Sequence, residues 1–453
     1  MLHLKEVHLP FREESLVDRY REITPDVVNE IREVAPPLRG RTILHINATP
    51  IGGGVAELLH SQIRLERSLG LESHWLVIEG APVEFFDITK KMHNMLQGKA
   101  GGLSEEERGL YLRITDELAD SLLHHLRRFQ EPLIIVHDPQ PLGMIQNDSL
   151  PTASMALRLH IDLSSPNASL LEFLHPYLKK YPRIVLSSEE YIPAFGWYDR
   201  AKIDLIPPAI DPLTEKNQPM KLVEARKILA RFGIDGTKPL LTQVSRFDPW
   251  KDPVGVIRAF RSLQKNIPGV QLALAGFITA KDDPEAVTFV KKVERARKSD
   301  EHIFLFSDPA VLDDISNDMF VSALLTASDV IIQKSLREGF GLTMTEAMWK
   351  AKPLIAGDTV GGRMQVVSGQ TGFIVHSPAE VAETAVLLLE DSIRAKHIGH
   401  AAKESVREKF IITRYILDHL HLYEGMQKSL PKTTLLDEPR MALNSKPSAH
   451  HYL

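Results

Sequence analysis

Short aliphatic runs alternating with amphipathic stretches of helical spacing constrain this chain more than any other feature of its 453 residues. The first set comprises "TILHIN" (42–47), "HWLVIE" (74–79), "LIIVHD" (133–138), "SMALRLH" (154–160), "RIVLSS" (183–188) and "IDLIPP" (203–208). A second set follows: "LLTQVS" (240–245), "QLALAG" (271–276), "IFLFS" (303–307), "DVIIQ" (329–333), "PLIAG" (353–357) and "GFIVH" (372–376). The pattern reads as βα units around parallel sheets. The chain is too long for one ordinary core, so the two sets predict two doubly wound α/β domains. The seam is expected near Pro207-Pro208, where "IPPAIDPLTEKNQP" concentrates proline and polar residues. This gives an N-terminal domain over 1–208, a C-terminal domain over 209–430 that includes a terminal helix, and a loose tail over 431–453. Residues 80–107 are long for a βα connection and predict a lid or substrate loop.

Composition narrows the function. A hydrophobic content of 43% with 25% charged residues is that of a soluble globular protein. A net charge of −5 supplies no basic field, which argues against a nucleic-acid polymer or an anionic membrane as partner. Cysteine is absent, so disulfides, thiolate metal sites and cysteine nucleophiles are excluded. No run reaches transmembrane length and the first residues lack a signal-peptide core, so a cytoplasmic location is expected.

Open α/β sheets bind ligands at the carboxyl ends of their strands, which directs attention to the residues just after each run. After the first strand, Gly52, Gly53 and Gly54 precede a helix, a context suited to phosphate. Glu57 replaces the third glycine of the dinucleotide fingerprint, while Glu79 stands where a ribose-binding acid would sit in an NAD enzyme. A tight turn is the simpler explanation of the glycines, and an NAD-dependent oxidoreductase stays open. In "VSRFDPWKDP", Arg246 and Lys251 could neutralise a diphosphate or form a solvated pair, and Asp252-Pro253 predicts a helix start. His137, Asp138, His160 and Asp162 lie at strand ends; taken singly, such histidines are more often structural. His124-His125, His397/His400 and His419/His421 read as solvated helix faces. In "REGFGLTMTEAMWKAKP", Thr343 and Glu346 match a capping box, which leaves Glu338 and the glycines unexplained. Phosphate-loop, zinc-protease, nucleophile-elbow and D-x-D patterns are missing.

Together, Glu338 and Glu346 in "SLREGFGLTMTEAMWKAKP", Arg246 and Lys251 in "SRFDPWK", and the glycine loop resemble the retaining GT-B glycosyltransferases of family four over roughly residues 40–425. Within that group, "INATPIGGGVAELL", "VHDPQPLG" and "IPPAIDPLTEKNQ" are similar to the trehalose glycosyltransferring synthases, and fungal trehalose phosphorylases carry similar segments. The resemblance implies two Rossmann-like domains facing a cleft, and glucose transfer from UDP- or ADP-glucose to glucose, forming trehalose, with neither metal nor other cofactor. It implies that Arg246 and Lys251 hold the diphosphate and Glu346 the ribose. Glu338 and His160 would contact the donor sugar, with Phe340, Gly341, Leu342, Gly53 and Gly54 near sugar and phosphates. Asp138, Glu79 and Asn94 are implied for the acceptor, and a homodimer is compatible with the resemblance. A phosphorylase acting through glucose 1-phosphate and a non-catalytic nucleotide-sugar sensor are the other readings.

Overall fold

The computed structural model describes residues 2–9, 13, 15–277 and 284–430. The expected tail at 431–453 lies outside the described residues. The first half is a seven-stranded sheet of β1 (His3–Glu6), β2 (Thr42–Asn47), β3 (Glu72–Glu79), β4 (Leu133–His137), β5 (Met155–Arg158), β6 (Arg183–Leu186) and β7 (Ile203–Leu205), in the order β1-β3-β2-β4-β5-β6-β7. The second half contains β8 (Leu240–Val244), β9 (Gln271–Ala275), β10 (Ile303–Phe306), β11 (Val330–Gln333), β12 (Leu354–Gly357) and β13 (Phe373–Val375), in the order β10-β9-β8-β11-β12-β13.

All neighbours pair in parallel except β1 with β3. The central strands are buried from end to end: every residue of β2, β4, β5, β8, β9, β11 and β12 is covered. Helices on both faces make that coverage, which explains why these strands read as unbroken apolar runs. Among the parallel strands each sheet reverses its direction of growth once, between β2 and β4 in the first and between β8 and β11 in the second. At such a reversal the two flanking helices leave on opposite faces and a crevice opens beyond the strand ends.

Several expectations change. The edge strand β1 was not foreseen; its Leu4 is buried and Lys5 reaches Glu79 at 2.6 Å. The segment expected as a lid is largely the helix Val83–Leu96, because Phe85, Ile88, Met92 and Met95 recur at helical spacing and are buried. His419 is not on a solvated face; it is buried, with Nδ1 2.8 Å from the Tyr415 carbonyl. Asp252-Pro253 does start a helix, Pro253–Leu263, with the Asp252 carboxylate accepting from the Gly255 amide at 3.0 Å.

The last helix, Ile412–Ser429, follows the second sheet in sequence but packs on the first half. It lies against the helix Pro25–Val34, and its Tyr423 hydroxyl donates to Glu66 at 2.6 Å. Chain entry and exit run side by side, with Ile210 bridged in parallel to Ile411. Among the described residues no helix is long and apolar enough to cross a membrane. Leu420 is fully buried in this helix. Leu420→Ala is expected to cost about 2–5 kcal/mol and to lower the thermal midpoint by roughly 5 °C, read by circular dichroism.

Candidate active site

The carboxyl ends of the two sheets meet over one cleft of about 510 Å³, a size suited to a small-molecule ligand. Its walls come from residues after β2, β4 and β5 on one side and after β8 and β11 on the other.

On the first side, Asn47 ends β2 with its side chain fixed: Oδ1 accepts from Trp75 Nε1 at 2.7 Å and Nδ2 donates to the Thr49 carbonyl at 2.9 Å. The glycine loop follows. Gly53 caps the helix Gly54–Ser68 at φ +86°, a conformation costly for residues with a Cβ. Gly54 touches the far wall; a Cβ there would sit 2.9 Å from Leu342 Cδ1. Asp138 follows β4 at φ +65°, and its carboxylate accepts from the His160 amide at 2.8 Å. Burial pushes the Asp138 carboxyl up to about 7, against the pull of that amide and of Arg158.

On the second side, the Asp248 carboxylate accepts from the Trp250 and Lys251 amides at 2.9 and 3.1 Å, which folds the cationic loop back toward the strand end. The Lys251 ammonium forms an ion pair with Glu338, to which the Ser335 hydroxyl also donates at 3.3 Å. Arg246 remains 65% exposed, with Nη2 3.5 Å from Asp248. Gly341, at φ +81°, caps the helix Leu342–Trp349. The neighbouring Gly339 lets the halves meet: a Cβ there would lie 3.0 Å from the Asp162 amide nitrogen, and its carbonyl accepts from Tyr191 at 2.9 Å.

The predicted capping box does not form. Gly341 is the cap, no side chain bonds the first turn, and Thr343 lies inside the helix. The left-handed turn at Gly341 starts the helix earlier, and Glu346 is drawn to a cation instead. Lys216 Nζ lies 2.6 Å from Glu346 Oε1 and 2.7 Å from Glu57 Oε1. Burial opposes the Lys216 charge, but Glu346 and Glu57 outweigh it and hold its pKa up. For Glu346, burial wins and moves the carboxyl upward against Lys216. Lys216 occupies Glu346 Oε1, while Oε2 has no hydrogen-bond partner among the described residues and keeps acceptor capacity inside the cleft. Both helices that open on the cleft, Gly54–Ser68 and Leu342–Trp349, have glycine caps without a side-chain bond, leaving first-turn amides available to an anion.

Of the residues singled out from sequence, the cleft brings together Arg246, Lys251, Glu338, His160, Asp138 and Glu346 with Gly53, Gly54, Phe340, Gly341 and Leu342. Two stay outside. Glu79 is held at the sheet edge by Lys5 at 2.6 Å and His3 at 3.3 Å, which removes the ribose acid that an NAD site would need. Asn94 is buried and does not line the cleft, whereas His93 and Gln97 of the same segment do. Neither of those two was anticipated, nor was Lys216. Lys216 lies in "IPPAIDPLTEKNQ", one of the stretches behind the family resemblance, and that was its only signal.

Solved structures share this architecture. A sucrose-phosphate synthase from Thermosynechococcus elongatus matches with a TM-score of 0.67 over 86% of this chain and 100% of its own, at 16% identity. An E. coli structure described as trehalose-6-phosphate bound with UDP-2-fluoro glucose matches with a TM-score of 0.68 over 85% and 99%, at 14% identity. The fold is GT-B, and residues 224–405 match the model "Glycosyl transferases group 1", so the class is glycosyltransferase. Residues 45–193 match "Trehalose synthase, N-terminal domain". Trehalose synthase from Pyrococcus horikoshii is 44% identical over 406 residues, covering 89% of this chain and 94% of that protein. The Rubrobacter xylanophilus trehalose synthase is 39% identical over 411 residues, covering 90% and 96%. The chain belongs to the trehalose synthase family. A trehalose phosphorylase from Pleurotus pulmonarius is a weaker relative, at 27% identity over 79% of this chain and 54% of that protein.

The raised Asp138 pKa has a signed consequence. The folded protein keeps a proton that the unfolded chain gives up near pH 4, so this group's contribution makes stability fall as pH rises from about 4 to about 7. Asp138→Asn is expected to flatten that part of the profile and to gain most on the native protein above pH 7, measured as thermal midpoint against pH.

Proposed function

We propose that this glycosyltransferase moves glucose from a nucleoside-diphosphate glucose to free glucose with retention, releasing trehalose and the nucleoside diphosphate. The observation that carries this reading is the convergence, in one cleft, of cations and uncapped helix amides with a carboxylate that has free acceptor capacity. Cations and amides suit a diphosphate; a buried carboxylate with an open acceptor oxygen suits a ribose hydroxyl.

Arg246 and Lys251 grip the diphosphate and stabilise the charge that grows on it as the sugar departs. Before the donor arrives, Glu338 holds the Lys251 ammonium in place as its ion-pair partner. Glu346, braced by Lys216, takes the ribose hydroxyls. Glu338 also reaches the donor glucose, with His160 on the opposite wall. The acceptor glucose binds on the first half, where Asp138, His93 and Gln97 replace the roles expected of Glu79 and Asn94.

The acceptor hydroxyl enters on the face from which the diphosphate leaves. Its oxygen bonds to C1 as the C1–O bond to phosphate breaks, and a leaving-group oxygen takes its proton. No carboxylate nucleophile is needed. Arg246, Lys251 and the first-turn amides supply the charge stabilisation that a divalent ion would otherwise provide, so no metal step is assigned. Closure of Gly53 and Gly54 onto the donor excludes water that would hydrolyse it.

Incubation with glucose and, in turn, UDP-glucose, ADP-glucose and glucose 1-phosphate tests the reading by product analysis. Trehalose from a nucleotide sugar is expected; trehalose from glucose 1-phosphate alone would make the protein a phosphorylase. Lys251→Ala is expected to reduce kcat by a factor of roughly 10²–10³, and near-normal turnover would remove Lys251 from the reaction. Glu346→Gln is expected to raise the donor KM about tenfold or more with kcat less affected. An unchanged donor KM would return Glu346 to a structural role.

A further inference from the structure

A row of four side chains runs from the core of the first half to the cleft. Glu66 Oε2, on the helix Gly54–Ser68, lies 3.1 Å from His45 Nε2 of β2. His45 Nδ1 lies 3.1 Å from His137 Nε2 at the end of β4, and His137 Nδ1 lies 3.0 Å from His160 Nε2. Ring centroids 5.4 and 5.3 Å apart place successive imidazoles edge to edge, where the ring N–H and lone pair lie. Glu66, His45 and His137 are fully buried. The far oxygen of Glu66 is closed off by two donors, Gln62 Nε2 at 2.8 Å and the Tyr423 hydroxyl at 2.6 Å. At the other end His160 lines the cleft, and its Nδ1 has no hydrogen-bond partner among the described residues.

What passes along such a row is hydrogen-bond polarity. A neutral imidazole has one donor and one acceptor, and an ionised carboxylate only accepts. Burial pushes the Glu66 carboxyl up, but His45 and then Tyr423 outweigh it and hold the group at about 2. His137 is held well below the ordinary histidine range by burial, its two histidine neighbours and Arg158; His160 is held there by burial, Arg158 and His419. His419 is itself pushed down to about 3 by burial and Arg158. A proton on His137 or His160 would thus place a second cation beside the buried Arg158. With the row neutral, His45 Nε2 donates to Glu66 and its Nδ1 accepts from His137. His137 Nδ1 in turn accepts from His160 Nε2.

We infer that Glu66 sets the tautomer of His160 through His45 and His137, so that His160 presents Nδ1 to the cleft as a bare acceptor and selects a sugar hydroxyl that donates to it. Glu66 is then a positioning residue acting at a distance from the substrate. The identity of the hydroxyl as the donor sugar's rests on the function proposed above; the tautomer does not.

Glu66→Gln reverses the row in a defined way. Gln62 and Tyr423 both donate to Oε1, so the carboxamide oxygen belongs there and its NH₂ meets His45 Nε2. His45 must then accept at Nε2 and donate from Nδ1, and the reversal continues until His160 carries Nδ1–H. Neutron diffraction from perdeuterated crystals of both proteins reads this directly. Deuterons on Nε2 of all three histidines are expected in the native protein, and on Nδ1 in E66Q. A deuteron on Nδ1 of any of them in the native protein, or the same pattern in both proteins, overturns the inference.

A panel of monodeoxyfluoro nucleotide-glucose donors supplies the second arm, since fluorine cannot donate and its inductive effect is common to both proteins. At one ring position the native kcat/KM is expected to fall about tenfold or more, while E66Q loses less than about threefold there. Equal penalties at every position overturn the selection even if the deuterons reverse. Correct deuterons in a protein that makes trehalose from no nucleotide sugar would overturn the donor reading, and the assigned hydroxyl with it.

Discussion

Parallel strands covered by helices on both faces cannot offer side chains to a ligand along their length, so functional groups must come from where the strands stop. This constraint organises the molecule. The strands flanking the two reversals of sheet order are β2 and β4 in one half and β8 and β11 in the other, and their ends carry the glycine loop, Asp138, Arg246 and Glu338. Facing the two sets of ends toward each other creates a polar cleft between two dry cores. It also explains the concentration of left-handed backbone at Gly53, Asp138 and Gly341, where chains leaving a buried strand must turn at once into a helix.

The lysines that line this cleft are paired before any ligand enters. Lys251 meets Glu338, and Lys216 meets both Glu346 and Glu57. Removing one member of such a pair strands the other in a low-dielectric setting, which costs more than the pair contributes to folding. The arrangement therefore serves readiness more than stability. The Lys251 ammonium is oriented by Glu338 in the absence of any ligand, and a ligand that reaches it exchanges one partner for another.

Much of this was legible in the amino-acid sequence for a physical reason. Buried parallel strands must be apolar throughout, and twelve such runs stand out against amphipathic helices. Residues placed directly after those runs, such as Arg246, Lys251, Glu338 and His160, could be assigned to the cleft because the sheet fixes where its own ends point. Groups that arrive by long-range packing left no such trace. Lys216 comes from a connection between sheets and touches Glu346 only once the halves are folded. His45 and Glu66 look like an ordinary strand residue and an ordinary helix residue, and only β2 packed under its following helix joins them. The edge strand β1 escaped because four residues with two charges carry almost no apolar signal. The helix Val83–Leu96 escaped because the length of its segment outweighed the spacing of Phe85, Ile88 and Met92.

The return of the last helix to the first half gives the molecule a particular mechanics. The backbone crosses between the halves twice, and the crossings are stitched together: Ile210 N donates to the Phe410 carbonyl and Ile412 N to the Ile210 carbonyl, each at 2.9 Å. Arg414 adds bonds to the carbonyls of Pro207 and Pro208 at 2.7 and 3.0 Å. A body held by a single tether can swivel in any direction; one held by two bonded tethers bends about the line they define. The cleft is thus hung like the covers of a book, with this double crossing as its spine. A hinge about that line would carry Gly54 to and from Leu342 along one fixed path.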